Sequence, residues 1–86
     1  MGISRKEIEK KFRQIVADVF KRKPEEIKDS TDFVADLNAK SVDIMALIAA
    51  TESAFGIRTE RDQTAKNKNF KQVIDYIEKK LKEKAK

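Results

Sequence analysis

The chain has 86 residues, 41% of them charged, a formal net charge of +5, and neither cysteine nor histidine. A length of this order makes one domain, residues 1–86. The missing residues exclude disulfides, thiolate nucleophiles, imidazole bases and the commonest metal-ligand sets, so no catalytic residue and no metal site is expected.

Ser4 precedes Glu7 by three residues, which opens a helix as a capping box does. Ile8, Phe12, Ile15, Val16, Val19 and Phe20 then recur at spacings of 4, 3, 1, 3 and 1, a single helical stripe. A first helix is predicted over residues 5–20, with Lys10, Lys11 and Arg13 turned away from the stripe. The basic run Lys21-Arg22-Lys23 suits its C-terminal end, and Pro24 stops it.

Pro24 to Ile27 predicts one short turn. Asp29 to Asp32 reads as a loop with capping side chains, anchored by Phe33, Val34 and Leu37. A connection this long suggests a role beyond joining two helices.

A second helix is predicted from Ser41 to Ala54, with Val42, Met45, Leu47, Ile48 and Ala50 as its core stripe. Ile44, Ala46 and Ala49 are apolar as well, which leaves the outer face short of charge. Gly56 caps its C-terminus. Residues 57–69 are polar, with at most a short helix near residues 60–65. Phe70, Val73, Ile74, Ile77 and Leu81 predict a last helix over 70–81, followed by a frayed, lysine-rich end. The expected fold class is all-α: a small up-down bundle of three main helices plus a short one, with a long first connection.

Charge is uneven along the chain: +4 over residues 1–28, −4 over 29–62 and +5 over 63–86. A basic helical module contacting nucleic acid through Lys10, Lys11, Arg13 and the C-terminal lysines is one reading. No recognition-helix motif supports it. The N-terminal run lacks the apolar core of a signal peptide, and no stretch has the roughly 20 apolar residues that span a bilayer. A cytoplasmic monomer without membrane insertion is expected.

The residue with the most chemical promise is Ser41. It stands where a polar loop gives way to an apolar run, at the start of a helix. Unpaired amides at such a start carry partial positive charge and favour a phosphate. Serine is also a common helix cap, and a cap alone is the plainer reading.

The segment DFVADLNAKSVDIMALI, residues 32–48, resembles the stretch around the modified serine of acyl carrier proteins, whose usual core is Asp-Ser-Leu. FKQVIDYIEKKL, residues 70–81, is similar to that family's last helix. The resemblance spans nearly the whole chain. It implies that Ser41 carries 4′-phosphopantetheine, attached from coenzyme A by a phosphopantetheinyl transferase. It further implies a non-enzymatic carrier that holds acyl groups as thioesters and delivers them to loading, transfer or synthase enzymes of fatty-acid, lipid or secondary-metabolite biosynthesis.

On this resemblance Leu37, Val42, Leu47, Phe55, Thr59 and Ile74 are assigned to an acyl-chain pocket. Lys40, Asp43, Ile44, Met45, Ala49 and Glu52 are assigned to partner contact. Lys40 stands where the family usually has aspartate, Asn38 replaces the common glycine and Val42 the leucine. The second helix also lacks the family's usual density of acidic groups. An unmodified, carrier-like interaction subunit is the alternative these departures allow.

Overall fold

The computed structural model of the chain describes residues 3–59 and 66–85. The short helix expected near Glu60 to Ala65 lies outside them. The described chain forms α1 (Arg5–Phe20), a 3-10 turn (Pro24–Glu26), α2 (Ser41–Phe55) and α3 (Phe70–Ala85). The expected three-helix bundle is the fold. Its one piece of extended pairing among the described residues is an isolated antiparallel bridge between Asp32 and Asn69.

Each helix begins and ends for a local reason. The Ser4 hydroxyl accepts the Glu7 N–H at 3.2 Å, satisfying one orphan donor of α1. The helix closes at Lys21, whose φ of 56° is left-handed, and the Lys21 and Arg22 N–H groups both donate to Ala17 O. At α3 the Asn69 carboxamide accepts from Gln72 N at 2.9 Å, while Gln72 Oε1 accepts from Asn69 N at 3.2 Å. This reciprocal pair is an amide version of the capping box. Gly56, at φ 63°, ends α2 as expected.

The core is built around α1. Ile8, Phe12 and Val16 are buried, and Phe12 lies between Phe33 and Phe70 at ring separations of 6.1 and 5.4 Å. Phe70, Ile74 and Ile77 complete this centre from α3, and Leu47 and Phe55 from α2. α1 packs against both other helices, whereas α2 and α3 approach each other least.

The long connection is pinned to the start of α3 rather than left to wander. Phe33 N–H donates to Lys68 O, Phe70 N–H to Thr31 O and Lys71 N–H to Asp29 O, each at 3.0–3.1 Å. Asp32 Oδ1 accepts the Val34 and Ala35 N–H groups at 2.9 and 2.8 Å, a tight turn stabilised by a carboxylate. These bonds fix the approach of the chain to Ser41.

Several expectations are corrected. Val34 does not anchor the loop: it is exposed, and Phe33 alone takes that role fully. Arg13 is half-buried rather than turned fully out to solvent. Its Nε donates to Ile27 O at 3.1 Å, and its guanidinium sits 4.8 Å from the Phe70 ring centre. α3 runs to Ala85 rather than fraying after Leu81. Lys84 Nζ donates to Gly56 O at 2.8 Å, and Lys82 and Lys84 suit the negative end of the helix.

Candidate functional site

Ser41 is the first residue of α2, and Lys40 is the N-cap, with φ −104° and ψ 171°. A lysine ammonium has no acceptor, so it cannot satisfy a helix amide. The compensating bond comes from Asp43, whose Oδ2 accepts the Lys40 N–H at 3.0 Å. The first backbone bond of the helix is Ile44 N–H to Lys40 O at 3.0 Å. The amides of Ser41, Val42 and Asp43 precede it and form the positive end of the helix.

Ser41 is exposed, and its hydroxyl takes part in no hydrogen bond among the described residues. The cap reading therefore does not describe it. The side chain borders an open groove shared with Val34, Ala39, Lys40, Met45 and Lys68. Phe33, Ile44, Ile48 and Asn67 line this groove and also an inner cavity of about 60 Å³. The cavity lies between α2 and α3, where Leu47, Thr51, Val73, Tyr76 and Ile77 close it and Phe12 forms its floor. The helix pair that packs least thus leaves an apolar space next to the groove that Ser41 borders.

The residues assigned to a pocket from the sequence divide. Leu47 and Thr59 line the cavity. Ile74 and Phe55 are buried in the core and Leu37 packs against it, but none of the three forms a cavity wall. Ile74 lies about 100° around α3 from Val73, which takes the wall position instead. Val42 is corrected outright, being 70% exposed. Met45, placed in the core stripe as well as in the partner surface, is 67% exposed and belongs to the surface.

The residues assigned to partner contact divide too. Lys40 and Ala49 are exposed. Ile44, expected on the outer face, is half-buried and lines both groove and cavity. Asp43 and Glu52 are half-buried and already engaged: Glu52 Oε2 accepts the Thr59 N–H at 2.8 Å and the Thr59 hydroxyl at 3.2 Å. Thr51 was missed altogether. Its hydroxyl donates to Leu47 O at 2.7 Å, which lets a polar residue be buried at a cavity wall.

Asn38 adopts φ 54° in the turn that precedes Lys40. Glycine has the least strain in that region, and asparagine is among the residues that tolerate it next best.

Comparison with known proteins adds three findings. The family model described as "Phosphopantetheine attachment site" matches residues 10–77. An acyl carrier protein from Nitratidesulfovibrio vulgaris is 37% identical over 70 residues, covering 81% of this chain and 92% of that protein. One from Thermosynechococcus vestitus is 35% identical over 79 residues, covering 92% and 98%. The solved acyl carrier protein of Enterococcus faecalis superposes with a TM-score of 0.78 over 91% of this chain and 99% of that one; at 24% identity it shows the fold.

Proposed function

The chain belongs to the acyl carrier protein family, and from that premise we propose that Ser41 is the residue that bears its covalent 4′-phosphopantetheine. The observation that carries this reading is the exposed Ser41 hydroxyl at the first turn of α2, beside a groove that shares four lining residues with an apolar cavity. The residues present fit the group. Ser41 offers an unengaged hydroxyl for a phosphodiester, and the amides of the first turn offer partial positive charge to its phosphate. When attached, the arm supplies the terminal thiol that holds an acyl group as a thioester.

The protein's own residues then position and shield. Asp43 fixes the first turn through Lys40 N–H, and Asp32 and Asn38 set the turns that lead into it. Ile44 and Ile48 form the passage from groove to cavity, and Leu47, Val73 and Ile77 receive an apolar chain. A 60 Å³ space holds about two groups of water or methylene size at roughly 30 Å³ each, so a longer chain requires α2 and α3 to part. Each buried methylene contributes about 0.8 kcal/mol, enough to favour shelter while leaving extraction by a partner possible.

The chain has no catalytic role of its own in this reading. A transferase loads Ser41, and acyl-loading and synthase enzymes exchange the cargo. The nucleic-acid alternative is weakened because Arg13, one of its phosphate contacts, is committed to Ile27 O and Phe70.

The test is intact-mass measurement after incubation with coenzyme A and a broad-specificity phosphopantetheinyl transferase. Gain of one arm by the wild type and none by Ser41→Ala supports the reading. An unchanged wild-type mass supports an unmodified interaction subunit instead.

A further inference from the structure

We propose that α2 docks its partner enzymes through apolar contact rather than through acidic groups, and that the surface it fits is an apolar patch with no basic group opposite Lys40. The inference rests on Ser41 being the attachment residue, because any enzyme acting there must cover the first turns of α2. The face it meets is formed by Ser41, Val42, Met45, Ala46 and Ala49, all exposed. These positions extend about 12 Å along the helix and carry no charge. Val42 and Met45 are large apolar side chains left in water at its head, and Val34, also exposed, lines the groove that Met45 borders. A concentration of exposed apolar groups around one reactive residue marks an interaction site.

The acidic groups nearby keep their charge, but their orientation is fixed by bonds to the protein's own backbone. Asp43 and Glu52 are the acids of α2, and each accepts a backbone N–H, from Lys40 and Thr59 respectively. Asp32 Oδ1 accepts from Val34 and Ala35, and Asp36 Oδ2 from Asp32 N. Two lysines, Lys40 and Lys68, are exposed at the groove, and their ammonium groups have no bonding partner among the described residues. These cations offset the neighbouring carboxylates, so a basic enzyme surface gains little from charge at the groove. An apolar surface without cations meets Val42 and Met45 with nothing to oppose it.

The experiment measures KM and kcat for arm transfer by a purified broad-specificity transferase, over about 0.05–0.5 M NaCl, a range that strongly screens exposed charges. Wild type is compared with the Val42→Ser, Met45→Ser double variant, whose helix content is checked by circular dichroism. Both side chains are exposed, so the bundle is expected to fold. The expected result is a wild-type KM that stays flat or falls with salt. The double variant should raise KM about tenfold, the effect of losing about 1.4 kcal/mol of apolar contact, with kcat changed less than about twofold. A KM that climbs about tenfold with salt, or one indifferent to the double substitution, overturns the inference while leaving Ser41 as the attachment residue. Sedimentation showing a wild-type dimer that the double variant dissolves overturns it in favour of a second copy on this face. A wild type that gains no mass at any salt removes the premise, and the inference falls with it.

Discussion

Replacing Lys40 by aspartate should stabilise the protein, because the present residue is the wrong type for its place. Lys40 has the extended backbone of an N-cap and puts a cation at the positive end of α2, while its side chain accepts no bond. An aspartate there can accept the N–H of Val42 or Asp43, a gain of about 1 kcal/mol. Exchanging a cation for an anion at the helix start adds about 0.3–1 kcal/mol. Repulsion from Asp43, three residues on, subtracts about 0.2–0.5 kcal/mol. The net is about 1.3 kcal/mol, or a rise in Tm of about 5–10 °C for a domain of this size. Thermal melts followed by circular dichroism measure it. Lys40→Asn separates the contributions, since it supplies the cap without the charge and should give most of the gain, with little dependence on salt. An aspartate variant that melts at or below the wild-type temperature would refute the reasoning about the helix start.

The same backbone logic predicts that Lys21→Gly stabilises by about 1 kcal/mol, read by urea denaturation, because Lys21 holds φ 56° at the end of α1. Asn38→Gly should gain less, about 0.5 kcal/mol, since asparagine already tolerates φ 54°. Phe12→Ala should cost about 3–5 kcal/mol and lower the urea midpoint steeply, because that ring is fully buried among Phe33 and Phe70. Val73→Phe should fill the cavity between α2 and α3. Excluding about two methylenes removes about 1.6 kcal/mol of burial, so an attached acyl chain should be sheltered roughly tenfold less, seen as faster thioester hydrolysis.

How legible each element was depended on whether its pattern fixed a phase. α1 was readable in extent and in its buried face, Arg13 apart, because lysines and glutamates interrupt its apolar stripe and leave one face to bury. α2 was readable in extent but not in orientation. Its run from Val42 to Ala50 is apolar on nearly every side apart from Asp43, so periodicity could not separate the core positions Leu47 and Phe55 from the exposed Val42 and Met45. The buried Thr51 confused the phase further, since its compensating bond to Leu47 O is invisible in the sequence. Asp43 and Glu52 entered the docking set on the family resemblance, as the acids of α2. Their backbone partners, Lys40 and Thr59, emerge only when the loops are folded against the helix ends. The last turn of α3 was misjudged for a similar reason: Lys84 finds Gly56 across 28 residues of sequence.

Position 41 itself was the clearest signal in the chain, and it also bears the heaviest burden. Trypsin cleavage after Lys40 and Arg58 releases the fragment 41–58, which contains Ser41 together with Thr51 and Ser53. Fragmentation of this peptide after transferase treatment is the most direct measurement. The account predicts one phosphopantetheine on the Ser41 oxygen, loss of the arm on fragmentation, and no modification in Ser41→Ala. An arm found on Thr51, on Ser53 or on no residue of the chain would contradict it.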